Sequence, residues 1–99
     1  MKIAKLLRAG DLVRFRSEAR PYRVRAANHR FAVCTKSFNP RRTVLYTVID
    51  FNKGVRGTEN LVFGFGTETD EQCVEMLERL TAGETEVSHR NRVSLDIQE

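Results

Sequence analysis

The sequence predicts an α+β fold: a curled, mostly antiparallel sheet of five or six strands, with one main helix at about residues 70–82. Three observations predict it. Apolar and polar residues alternate in short runs between Leu12 and Phe51, which marks half-buried strands. Turn-forming residues (Asn28-His29, Asn39-Pro40 and Asn52-Lys53-Gly54) part those runs at hairpin spacing. After Thr69 the apolar residues change to helical spacing. At this size the chain reads as a single domain, residues 1–99.

The elements follow in order. Ile3, Leu6 and Leu7 have helical spacing, and Gly10 would end a short first turn. In Leu12-Val13-Arg14-Phe15-Arg16, Val13 and Phe15 share one face and Arg14 and Arg16 the other. Pro21 opens a second strand, where its missing N–H does least harm. Tyr22, Val24 and Ala26 are expected on one face of it, Arg23 and Arg25 on the other. Arg30 to Lys36 returns as a third strand, and 37–42 is a loop. Thr43 to Phe51 is apolar on both faces and β-branched, so it should lie centrally. Arg56-Gly57 is read as the start of a loop, and Leu61 to Gly66 as a short strand.

Thr69 and Gln72 have capping-box spacing, and Asp70 and Glu71 suit the first turn of a helix. Cys73, Met76, Leu77 and Leu80 form its apolar face, and Gly83 ends it. A last strand is expected from about Glu86 to Ile97, with Val93, Leu95 and Ile97 inward and Arg92, Ser94 and Asp96 outward. The opening run Gly10 to Phe15, followed by two hairpin-linked strands, resembles the start of a small SH3-like barrel.

Charge is divided along the chain. Residues 1–56 hold 14 of the 17 Lys and Arg against three acids, a surplus of +11. Residues 57–99 hold three bases and ten acids, or −7. A basic half in a compact domain points to an anionic partner, and the acidic half is its available internal counterweight. Thirteen of the bases are arginine, whose planar fork grips phosphate through paired hydrogen bonds.

Two groups of residues carry the functional expectation. Arg14, Arg16, Arg23 and Arg25 would share one sheet face if their strands pair, leaving like charges to be relieved by solvent, by acids or by an anionic ligand. The plain alternative is a solvated face paired with Glu71, Glu75 and Glu78. His89, Arg90, Asn91 and Arg92 form the second group, offering an imidazole, an amide and two guanidinium groups toward a ligand. A basic stretch from Lys36 to Arg42 around Phe38, with Tyr22, Phe31 and Tyr46, is a further candidate for stacking on bases.

Other chemistry is poorly supplied. The run from Leu61 to Gly66 is no phosphate loop, since it lacks the Lys-Ser/Thr ending, and no cofactor motif is present. Cys34 and Cys73 read as buried reduced thiols, and with His29 and His89 they lack zinc-site spacing. Asp50 is a lone acid, so no catalytic group is assigned and an enzyme ranks last, as a small nuclease or hydrolase using His89 with Asp50 or Glu59. No apolar run would span a membrane, and the N-terminal apolar stretch, broken by Arg8 and Asp11, is too short for a signal peptide.

Four stretches, Arg30–Lys36, Tyr46–Phe51, Arg56–Leu61 and Ser88–Val93, resemble small uncharacterised proteins of tailed phages and prophages. Those relatives have no assigned activity, so the resemblance transfers no catalytic residue. It implies a cytoplasmic setting in a bacterial host and an accessory viral role, of the kind that counteracts host defence. The expectation is thus a non-enzymatic, phage-type protein that binds a phosphate-bearing ligand, a nucleotide signal or nucleic acid. The alternative is a protein–protein inhibitor of a host defence complex, docking through the acidic stretch Glu68 to Glu86 or the basic face. A homo-oligomer stays open, because a twofold interface would enclose a ligand better than one small domain.

Overall fold

Short alternating runs joined by tight turns leave little choice of topology, because each strand pairs most readily with the one before it. The computed structural model of the chain describes residues 7–38, 43–58 and 69–98, apart from the side chains of residues 37, 38, 43 and 44. The elements are β1 (Leu12–Val13), β2 (Tyr22–Ala27), β3 (Phe31–Phe38), β4 (Thr43–Asp50), β5 (Val55–Gly57), α1 (Asp70–Ala82) and β6 (Val93–Ser94). The six strands lie side by side in chain order, and every pairing is antiparallel.

The sheet curls until its ends meet. Phe15, just past β1, bridges Ile97, just past β6, and backbone bonds Arg16 N to Asp96 O and Gln98 N to Arg14 O extend the contact. The curl encloses a first core of Val13, Phe15, Tyr22, Val24, Ala32, Cys34, Ile49 and Ile97. A second core lies on the opposite face, where α1 covers β2 and β3: Ala26, Phe31, Val33, Val48, Cys73, Met76, Leu80 and Val87. Neighbours in sequence therefore serve opposite cores. Val48 and Ile49, both fully buried, make β4 the central strand its composition implies.

The helix forms as its sequence dictates. The Thr69 hydroxyl accepts from Gln72 N, and the Gln72 side chain accepts from Thr69 N, closing the capping box. Gly83 ends the helix at φ +81, a left-handed conformation that glycine adopts without a Cβ clash. Cys73, Met76 and Leu80 are buried, with Leu77 partly so.

Four expectations need correction. First, β2 does not keep one parity. A bulge between Val24 and Ala26 shifts the register, pairing Val24 with Cys34 but Ala26 with Val33. Tyr22 and Val24 thus face the enclosed core, while Arg25 and Ala26 both lie on the helix side.

Second, Arg56-Gly57 is not a loop. It belongs to β5, which pairs with β4 at Ile49↔Arg56 after a turn over Phe51 to Gly54.

Third, the long final strand shrinks to Val93–Ser94. Arg90 N donates to Ser88 Oγ, so a side chain captures a backbone donor a ladder would use, and Asn91 Nδ2 holds the segment to Thr58 Oγ1.

Fourth, the facing of that strand is mixed. Val93 is half exposed rather than inward, whereas Asp96 is held against Arg56 rather than turned outward.

The segment holding Ile3 and Leu6, residues 39–42 of the expected loop and the expected Leu61–Gly66 strand lie outside the described residues, while residues 37 and 38 of that loop belong to β3. No helix among the described residues is long and apolar enough to cross a membrane.

Candidate functional site: a cation-lined cleft

The β1–β2 pairing sets Leu12 beside Arg23 and Val13 beside Tyr22, so the enclosed face takes Val13 and Tyr22 and the opposite face takes Leu12 and Arg23. Pro21 lies just before β2, and Arg25, two residues beyond Arg23, shares its face by alternation, the bulge then turning Ala26 to that side as well. The result is a cleft of about 420 Å³ lined by Leu12, Arg20, Pro21, Arg23, Arg25, Thr35 and Lys36. None of its described lining residues is a carboxylate.

The four cations differ in their partners. Arg25 sends Nε and Nη2 to Asp70 Oδ1, at 3.1 and 2.8 Å, and Nη1 to Thr35 Oγ1 at 3.0 Å. Asp70, on the first turn of α1, is largely exposed, so this pair is open to water. Lys36 Nζ donates to Glu18 Oε1 at 2.8 Å and sits 4.8 Å from the centre of the Tyr22 ring. Arg23 donates from Nη1 to the Gly10 carbonyl at 2.9 Å, which orients the guanidinium without neutralising it. Arg20 is exposed and has no ion pair among the described residues. Among the described residues, four positive charges therefore meet two bonded carboxylates, a local surplus of two.

Behind the cleft lies a polar cluster that the sequence reading did not anticipate. Arg56 is buried and spans the inside of the curl. Its Nε donates to Asp96 Oδ1 at 2.8 Å and Nη2 to Ser17 Oγ at 2.9 Å, with Nη1 3.4 Å from Thr47 Oγ1 and 3.5 Å from Glu18 Oε2. The guanidinium carbon lies 3.9 Å from the centre of the Phe15 ring. Ser17 closes the cluster by donating from Oγ and N to Asp96 Oδ2, at 2.6 and 3.0 Å.

Burial acts to raise the Asp96 carboxyl, but the Arg56 and Ser17 hydrogen bonds outweigh it and bring it to about 2. Burial opposes Glu18 in the same way, and Lys36 and then Arg56 hold it below its ordinary value. Desolvation followed by the Glu18 charge pushes the Tyr22 phenol up to about 12. Glu18 thus links the cleft, through Lys36, to the buried Arg56.

The anticipated residues are distributed as follows. Arg23 and Arg25 are brought together in the cleft, joined by Arg20 and Lys36. Arg14 and Arg16 are exposed and do not line it. Asp70, not Glu71, Glu75 or Glu78, meets this face; Glu75 pairs with Arg79 along the helix. His89, Arg90, Asn91 and Arg92 lie beside β6, at the far end of the strand order. His89 and Asn91 are exposed, and His89 Nε2 stands 3.7 Å from Glu86 Oε2. Arg20 was missed because it sits between strands, and Arg56 because an arginine in a three-residue strand shows no alternation. The Asn52-Lys53-Gly54 turn before Val55 was the available sign of a hairpin.

Other chemistry is committed elsewhere. Tyr22 and Phe31 are only 4% and 3% exposed, so neither ring is a stacking platform. Asp50 is buried, and its Oδ1 accepts from Asn52 N and Lys53 N, with Arg30 beside it. Cys34 is buried in the enclosed core, where desolvation pushes its thiol up to about 12; desolvation also raises the buried Cys73, under the helix. A second cleft of about 450 Å³, near the helix C-terminus, holds Arg30 and Lys53, but Asp50, Glu84 and Glu86 balance them. Among the described residues no group of three or more His, Cys, Asp and Glu is placed to hold a metal ion. Comparison of the chain with protein-family models, with curated proteins and with solved structures gives no match.

Proposed function

We propose that the chain is a non-enzymatic binding protein whose Arg20–Arg23–Arg25–Lys36 cleft takes a phosphate-bearing ligand, a nucleotide signal or nucleic acid. The carrying observation is the cleft itself: among its described lining residues are four cations, three of them arginine, and no carboxylate. Guanidinium groups suit phosphate because their donors match its oxygens in pairs. Arg20 and Arg23 supply the uncompensated charge. Arg25 and Lys36, anchored to Asp70 and Glu18, give the cleft a fixed wall.

This reading fits the accessory role in a bacterial host that the resemblance to phage proteins implies, including one directed against host defence. It needs no second copy of the chain, since one chain provides all four cations. A protein–protein inhibitor is the competing reading, and the concentration of arginine in one cleft favours the phosphate.

Calorimetry at low salt tests it, with inorganic tripolyphosphate as the titrant. Binding should be measurable for the native chain and weakened about tenfold or more by joint Arg20→Ala and Arg23→Ala, each arginine contact to an anion being worth about 1 kcal/mol or more. Both side chains are exposed, so the unfolding temperature should hold. Unchanged affinity in the double variant would remove the cleft from the account.

A further inference from the structure

Resting on the phosphate-binding reading, we infer that the cleft's ligand is the phosphodiester backbone of a nucleic acid strand, held by charge and without base selectivity. Three observations separate this from a mononucleotide. A small ligand is normally enclosed over most of its surface, with placed polar groups that read its shape. Here Arg20 and Arg23 are exposed, and Leu12 at the cleft's edge is 60% exposed, so the ligand would lie along an open surface.

None of the cleft's described lining residues is aromatic, and the nearby Tyr22 ring is buried beneath Lys36, so among the described residues a base finds no ring to stack on. The neutral polar side chain among them, Thr35, is buried and already accepts from Arg25, so it offers little to a base edge. What remains to recognise is phosphate. Arg14 and Arg16, exposed on the segment after β1, carry positive charge beyond the cleft itself, which suits an extended anion better than a compact one.

The charge ledger of the cleft makes the inference quantitative. With two uncompensated cations, a single strand should bind with a log–log salt slope of about −1.4, or about sevenfold weaker at 200 than at 50 mM salt. Arg20→Ala would remove one of them, flattening the slope to about −0.7, about threefold over the same range. Arg20 is the right position for this test because it is exposed and stands outside the Arg56 cluster.

The experiment is fluorescence anisotropy with a labelled oligothymidine of about 20 residues. Competitors are a mixed-sequence strand of equal length, ATP, a cyclic dinucleotide, tripolyphosphate and poly-glutamate of matched charge. Circular dichroism checks that each variant is folded. We expect both strands to compete about equally, the mononucleotide and cyclic dinucleotide to compete weakly, poly-glutamate to fail, and Arg20→Ala to flatten the salt slope. ATP or the cyclic dinucleotide matching the strands would overturn the backbone inference while leaving a phosphate site. Poly-glutamate matching them would point to an acidic protein partner and overturn it too, as would an Arg20→Ala slope equal to the native one. If neither the strands nor tripolyphosphate bind, the phosphate reading falls with it.

Discussion

Arg56 shows how one side chain organises the interior of a small sheet. It reaches residues from the segment after β1, from β4 and from the C-terminal segment, so its single guanidinium ties together parts of the chain far apart in sequence. Buried ion pairs contribute little over an apolar substitute, but breaking one strands its partner. Glu18 and Asp96 retain about a quarter of their exposure, which softens the loss, so Arg56→Ala should cost about 3 kcal/mol in urea unfolding at neutral pH. The same variant should alter the acid limb of stability. Asp96 ionises in the folded state at about 2, below its ordinary 3.8, so its contribution is present above the ordinary value and lost as pH falls through about 2. That contribution is about 2 kcal/mol, and Glu18 adds in the same direction. In alkali the sign reverses: Tyr22 and Cys34 stay protonated up to about 12, so their stabilisation holds below 10.0 and 9.0 respectively and is lost above. Native protein should therefore weaken at both extremes, and Arg56→Ala should show a shallower acid limb. A cost under about 1 kcal/mol, with that limb unchanged, would mean the cluster contributes little.

At the scale of elements, β5 and the segment before β6 depend on each other. A Cβ at Gly57 would lie 2.8 Å from the Asn91 carbonyl oxygen and 3.0 Å from the Arg92 Cα, both backbone atoms with little room to yield. Gly57→Ala should therefore destabilise the fold by about 1–3 kcal/mol and speed hydrogen exchange at residues 91–94, whereas a neutral outcome would show that the two segments separate freely. The same elements mark the limit of what the sequence made legible. α1 was readable to within a residue because its cap, apolar spacing and terminal glycine all agree. β4 was readable because both its faces are apolar. β5 was not, since three residues are too few for a pattern and its middle one is a charged core residue. The bulge in β2 was invisible for a different reason. Tyr22 to Ala26 alternates cleanly in sequence, and the face switch appears only in the register with β3. Half of the candidate site followed from the alternation of Arg23 and Arg25; Arg20 and Lys36 join them only through the three-dimensional course of the chain.

For the molecule as a whole, the division of charge along the sequence is partly resolved within the fold. Among the described residues, three pairs cross from the basic half to the acidic half: Arg25 to Asp70, Lys53 to Glu86 and Arg56 to Asp96. The acidic half is thus an internal counterweight, and Arg20 and Arg23, which it leaves over, lie on the β1–β2 side, in the cleft. That asymmetry is the physical basis of the proposed phosphate binding, because an uncompensated, concave basic surface gathers anions from solution before any specific contact forms. Amide chemical-shift mapping during titration with tripolyphosphate tests this most directly. The account predicts that the largest shifts cluster at Arg20, Arg23, Arg25, Thr35 and Lys36 and shrink as salt is added. Shifts centred instead on His89 to Arg92, or scattered evenly over every basic residue, would contradict it.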